Sequence, residues 1–212
     1  MSTMTAEPEY RLLHGQRWHD YERVLAERDR LGRRYRISYD RGVLEIMSNS
    51  AAHERWKKLI SSLLEAYCVA AGIPFAALGQ WTFRREDLDR GLDPDECYYL
   101  RHEPLVRGRT DLDLTADPPP DLAIEVEVTR KVVDRLSIYA ELGVPEVWRY
   151  DGSALTVLLL GPDGAYKAAT ASRAIPSLPL AELTRRLAAW GTTDQATWLR
   201  DWQAWVRANV AG

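Results

Sequence analysis

Cysteine is scarce: Cys68 and Cys97 are the only two in 212 residues. Two thiols at that spacing supply neither a disulfide framework nor a zinc cluster. Both lie among apolar or aromatic neighbours, which reads as reduced core residues in a cytoplasmic setting. Long apolar runs are missing as well. No window approaches the roughly 18 uninterrupted apolar residues of a membrane span. The opening MSTMTAEPEYRLLHG has no run of signal-peptide length, so no membrane partner is expected. A Gly-rich phosphate loop, a zinc signature and a nucleophile elbow are all absent. There is no internal repeat and no low-complexity segment. Net charge is only −3, which excludes neither a nucleic-acid partner nor a neutral one.

What is present is an ordinary globular composition, 46% hydrophobic and 28% charged. A chain of this length can bury a core without metal or disulfide support. Charge is unevenly placed. Residues 86–127 hold 13 acids and 4 bases, a balance of −9, and the remainder holds 18 acids and 24 bases, a balance of +6. A basic body around an acidic centre suits an enzyme that binds a polyanion at a cation-filled site. It equally suits an acidic surface loop.

The most informative stretch is 117–149. Leu122, Ile124, Val126 and Val128 alternate with Ala123, Glu125, Glu127 and Thr129. That period of two reads as a strand with one apolar face. Glu125 and Glu127 then point the same way, with Cα atoms about 6.6 Å apart. Two carboxylates buried together repel, so a metal ion or a Lys/Arg is expected between them. A wet, half-exposed Glu face is the bland alternative.

Around this strand the pattern alternates between periods. A helix is expected over 18–32, then strands Tyr35–Tyr39 and Val43–Met47 around a three-residue connection ending at Gly42. A helix from about Ala51 to Ala71 follows, N-capped within Ser48-Asn49-Ser50. Ile73–Phe83 reads as a strand, Arg84–Asp93 as a charged loop, Asp95–Leu100 as a strand and 101–117 as a connection. Lys131–Leu142 reads as a helix, followed by strands Val144–Tyr150, Leu155–Leu160 and Tyr166–Ala169. Helices Leu180–Trp190 and Asp194–Val210 close the chain. The order predicts an α/β protein in one domain over 1–212, with a mixed β-sheet flanked by helices.

Asp95 follows Pro94 at a strand start, which aims its carboxylate rigidly, although turns use the same dipeptide. Lys131 and Arg135 are four apart and share a helix face close to the Glu strand. Carboxylates select hard cations such as Mg²⁺ or Mn²⁺, which polarise phosphoryl oxygens and activate water. His53 and Glu54 open the long helix. A lone His there is more often a capping or surface residue. Trp198, Trp202 and Trp205 form a helical stripe, suited to core packing or a homodimer contact.

The segments PPDLAIEVEVT (119–129), IYAELGVPEVWRY (138–150) and DECYY (95–99) together resemble the Uma-type restriction endonuclease family of the PD-(D/E)xK nuclease superfamily. The likeness runs over about 35–179, with the C-terminal helices 180–212 outside it. It implies a restriction-endonuclease-like fold, metal-dependent hydrolysis of DNA phosphodiester bonds, and Mg²⁺ or Mn²⁺ as cofactor. Carried over, Asp95 is the first acid and Glu125 the second; Glu127 joins them as a candidate metal ligand only through its place on the same strand face. The motif's Lys falls at Glu127, a departure. Arg135, or Lys131 one turn earlier, takes its place. Arg is always protonated and can only stabilise charge, whereas Lys131 can orient water. The departure leaves open a catalytically degenerate member that acts as a binding or assembly module, with Lys131 or Arg135 neutralising the Glu pair. A paired-carboxylate hydrolase acting without metal, as on a glycoside, is the third alternative.

Overall fold

Arg41 and Gly42 both take positive φ, 45° and 93°, which is what a two-residue type I′ hairpin turn requires. The strands it joins are therefore one residue closer than the three-residue connection expected. The computed structural model describes residues 10–127 and 133–210. Residues 1–9, whose sequence alone reads as a loose terminus, lie outside them.

In chain order the elements are β1 (Tyr10–His14), α1 (Trp18–Arg30), β2 (Tyr35–Asp40), β3 (Val43–Ser48) and α2 (Ala51–Ala70). Next come β4 (Ala76–Ala77), β5 (Phe83–Arg85), β6 (Arg90–Leu92), β7 (Glu96–Tyr99), α3 (Glu103–Val106) and β8 (Leu122–Val126). The chain continues through α4 (Arg135–Glu141), β9 (Glu146–Tyr150), β10 (Leu155–Leu160), β11 (Tyr166–Ala169), α5 (Leu180–Ala188) and α6 (Gln195–Asn209).

The strands form two sheets. One has the order β1-β3-β2-β6-β5 and the other β11-β10-β9-β8-β7-β4. In the second, β8 and β9 are parallel and their neighbours antiparallel. The parallel pair is joined through α4, as a crossover connection demands. The five-stranded sheet is wholly antiparallel, so the restriction-endonuclease-like α/β fold has one mixed sheet, the six-stranded one, where a single sheet was expected.

Two expectations fail between α2 and β7. The strand foreseen over Ile73–Phe83 is two short pieces, β4 and the start of β5, belonging to different sheets. Gly79, at φ 62°, turns the chain between them. The charged segment foreseen as a loop over 84–93 contains β6 and most of β5, which pair as a hairpin. Charge disguised these strands, because Arg90 is buried by its ion pair with Asp40 at 2.9 Å. A shorter discrepancy is α4, which starts at Arg135 rather than at Lys131; residues 128–132, Lys131 among them, are outside the described region. Short α3 also interrupts the connection expected over 101–117.

The larger core cluster packs α2 against β8, α5 and α6. Leu59, Ile60, Leu63, Leu64 and Tyr67 are all buried, as their helical spacing demands. Trp202 is fully buried and donates its indole N–H to the Leu63 carbonyl at 2.8 Å. Trp198 is buried beside it, and Trp205 stacks on Trp202 with ring centroids 5.6 Å apart. The tryptophan stripe is thus spent within the chain against α2, and it gives no reason to expect a second copy. Cys68 and Cys97 are buried free thiols.

Candidate functional site

Three local features aim side chains at one place between the two sheets. The first is register. β7 and β8 pair antiparallel with Glu96 opposite Ile124, so the next pair outward is Asp95 and Glu125. Asp95 Oδ2 accepts the Val126 N–H at 2.6 Å, which fixes the carboxylate against β8. The second feature is the cap of α2. Ser50 accepts the His53 N–H at 3.1 Å, which starts the helix and sets His53 in its first turn. From there its Nε2 lies 3.0 Å from Asp95 Oδ2. The third is the cap of α4. Asp134 accepts the Ser137 N–H at 3.3 Å, so Arg135 and Tyr139 sit four apart on one face. Both bond Glu125 Oε1, Arg135 at 2.7 Å and the Tyr139 hydroxyl at 2.5 Å.

Between the two acids lies a residue that the sequence did not single out. Arg36, on β2 of the other sheet, bonds Asp95 Oδ1 through Nη1, and the same nitrogen is 3.5 Å from Glu125 Oε2. Tyr35, Ile37 and Tyr39 alternate with Arg36 and Ser38, so Arg36 reads as part of an ordinary polar face. Both faces of β2 are in fact covered, and Arg36 is buried. Glu45 is a second unflagged residue. It is buried on β3 opposite Ser38, and Ser38 is held by Arg135.

The charges nearly cancel. Asp93, Asp95, Glu125 and buried Glu45 give −4, and Arg28, Arg36 and Arg135 give +3, with Asp93, Asp95 and Glu125 each paired to one of these bases and Glu45 near Arg135. Asp93 is anchored by Arg28 at 2.6 Å, Thr82 at 2.6 Å and the Ile37 N–H at 2.9 Å. Burial dominates the titration of the cluster. It lowers the Arg36 pKa to about 10, with the Arg135 charge pushing the same way. Burial also pulls Arg135 down, but Glu125 and Tyr139 overcome it and leave Arg135 above its usual value. Burial raises Tyr139, and neighbouring Glu125 raises it further, so its hydroxyl stays a donor. Burial likewise raises Asp93, against the pull of Arg28.

Of the residues picked from the sequence, Asp95, Glu125 and Arg135 come together, with His53 added. Glu127 departs from them. Its carboxylate is partly exposed and is bonded by Arg149 Nε at 2.9 Å. No single cation sits between Glu125 and Glu127 among the described residues; each has its own Arg, because the chain leaves β8 after Val126. Lys131 lies outside the described residues. Asp121 ties down the turn after β7 by accepting the Leu100 and His102 N–H groups at 2.7 and 2.9 Å.

The donor types fit a hard divalent cation: two carboxylates with an imidazole beside one of them. The point shared by Asp95 and Glu125 is held by the Arg36 nitrogen, a cationic group between the two carboxylates. Among the described residues no three His, Cys, Asp or Glu side chains are gathered so as to hold a metal by themselves. Arg36 is a poor tenant, however. Among the described residues its Nε and Nη2 are buried without a hydrogen-bond partner, and each such orphan costs about 1–3 kcal/mol.

A buried acid pair leading from adjoining strands of a mixed sheet, backed by helices on its flanks, defines the restriction-endonuclease-like class of α/β proteins. The match to known families agrees. Residues 18–189 match the Uma2 family model, described as "Putative restriction endonuclease", and the chain belongs to that family. No curated protein matches the chain. Among the described residues no helix is long and apolar enough to cross a membrane.

Proposed function

We propose that the protein is a nuclease that hydrolyses DNA phosphodiester bonds with Mg²⁺ or Mn²⁺ held by Asp95 and Glu125. The observation that carries this reading is the convergence of two buried carboxylates, from adjoining strands, on one point already taken by a cation. A metal ion held by Asp95 and Glu125 would supply Lewis-acid polarisation of the phosphoryl oxygen and a water acidic enough to attack near neutral pH. The chain's own residues do the rest. Val126 N–H and His53 hold the Asp95 carboxylate in place. Arg135 and Tyr139 hold Glu125, so Arg135 is a positioning residue and not a source of charge for the transition state. Lys131 is assigned to orienting the attacking water, and Glu127 is left out of the ligand set because Arg149 engages it. Both acids serve a metal only when Arg36 Nη1 gives up its position. The test is cleavage of plasmid DNA with Mn²⁺ by the wild type and by Asp95→Ala. Cutting that is lost in the variant supports the reading, and equal cutting by both defeats it.

A second reading rests on the charge balance. With Arg36 in place Asp95 and Glu125 are both paired without metal, as in a non-catalytic member that uses the fold for binding or assembly. Calorimetric titration with Mn²⁺ separates the two. Heat that disappears in Asp95→Ala supports the nuclease, and no carboxylate-dependent heat supports the binding module.

A further inference from the structure

The outer wall of the buried cluster is a groove of about 590 Å³ whose lining includes Arg28, Arg33, Arg34, Tyr35, Asn49 and Lys57. Through shared Arg33, Tyr35 and Ser48 it continues into a hollow that adds Arg11. Through shared Arg28, Asp29 and Gln80 it continues the other way into one that adds Arg84 and Trp81. Along this path six bases (Arg11, Arg28, Arg33, Arg34, Lys57, Arg84) face three acids (Asp29, Glu54, Asp111), a balance of 6 − 3 = +3. The chain as a whole is −3, so the path is positive against its background.

The bases differ in how they are engaged. Arg28 is committed to Asp93 and Asp29, and Lys57 to Glu54 at 3.1 Å. Arg30, just before them in sequence, is held by Glu27. Arg33 and Arg34 are exposed, and neither makes an ion pair among the described residues. Three links join groove and acid site. Glu54 lines the groove while its neighbour His53 reaches Asp95. Tyr35 lines it while Arg36 touches both acids. Arg28 lines it while holding Asp93, two residues before Asp95.

We propose that this groove carries the phosphate backbone of a nucleic-acid strand past the acid site, with Arg33 and Arg34 as phosphate contacts and Tyr35 as an aromatic surface for a base. The choice of nucleic acid rests on the nuclease reading; the groove itself rests on its charge and continuity. A single small anion needs one cluster of donors, whereas a run of bases through three connected hollows with Tyr35 and Trp81 in its walls matches a polyanion that carries stacking faces. Basic contacts of this kind release counterions and give salt-dependent binding.

The experiment measures binding of a fluorescein-labelled DNA oligonucleotide by anisotropy, in EDTA, over a NaCl series. The expected result is that Arg33→Ala with Arg34→Ala weakens binding and lowers the slope of log K against log[salt] by about 1.8 for duplex or about 1.4 for single strand, at about 0.9 or 0.7 per phosphate contact. The control pair, Arg185→Ala with Arg200→Ala on α5 and α6, leaves both unchanged. Thermal melting of both pairs is expected to match the wild type, since all four side chains are exposed. The proposal is overturned if the Arg33/Arg34 pair keeps wild-type affinity and slope, or if the control pair loses as much. Because the assay contains no metal, a chain that binds DNA here yet neither binds Mn²⁺ nor cuts would defeat the nuclease reading and leave the groove standing.

Discussion

Arg36 and Asp95 belong to different halves of the molecule and are joined by a buried ion pair. Arg36 lies on β2 of the five-stranded sheet, and Asp95 leads into β7 of the six-stranded one. This contact, with its extension to Glu125, ties the two sheets together at the point where the acids meet. It makes one guanidinium both a structural tie and the positive charge between the two acids.

Arg36→Gln is therefore expected to lower stability by about 3–5 kcal/mol in metal-free buffer, the usual cost of leaving buried charges unpaired. Added Mn²⁺ is expected to restore more stability to this variant than it adds to the wild type, because the bridging position is open. Urea unfolding with and without Mn²⁺ checks both parts. Equal Mn²⁺ effects on the two proteins would show that Arg36 does not compete for the site.

Tyr139→Phe removes the hydroxyl that donates to Glu125 and changes little else in volume. A hydrogen bond to a charged group is worth about 1.5–3 kcal/mol, and a loss of that size is expected in chemical denaturation. Under the nuclease reading, cleavage should weaken also, since Glu125 loses one of the groups that hold its carboxylate while Arg135 and Arg36 stay.

Glu54 gives a pH signature. The nearby His53 imidazole, its Nδ1 3.7 Å from Glu54 Oε1, together with the Asn49 amide at 2.5 Å and the Lys57 ammonium at 3.1 Å, lowers its pKa to about 2. A carboxyl lowered on folding contributes stability above its unfolded pKa and loses it as pH falls through its folded value. The loss should run from the ordinary glutamate range, about 4.3, down to about 2. Glu54 is partly exposed, so solvent screens the effect. Glu54→Gln is expected to make the acid limb of a stability-against-pH curve shallower, and an unchanged limb would remove Glu54 from the account.

Gly91 sits on β6 with its backbone against the Tyr21 hydroxyl, where an added Cβ would collide with the ring. Tyr21 cannot easily yield, because it is fully buried and stacked on Tyr39 with centroids 5.1 Å apart. Gly91→Ala is expected to cost about 1–3 kcal/mol through overpacking, read as a lower thermal midpoint, while Gly91→Ser should be no better tolerated.

The sequence by itself determined the elements whose signal is local. The buried stripe of α2, the Ser50 cap, the alternation of β8 and the placing of Asp95 at the start of one strand and Glu125 within another all follow from spacing and capping, whereas the pairing of those two strands is tertiary. Tertiary structure decided which side chains meet across long separations. Arg36 and Asp95 are 59 residues apart, and nothing in YRISYD distinguishes a polar face that looks into water from one that looks into a second sheet. His53 likewise looks like a capping residue until the packing of α2 turns it onto Asp95. Glu127 moved the other way. Its spacing places it beside Glu125, but the strand ends after Val126 and Arg149 on the neighbouring strand takes the carboxylate. Periodicity is a property of a few consecutive residues, whereas charge pairing in a low-dielectric interior depends on every element that closes around it. The acids were therefore legible in the chain, and their partners only in the fold.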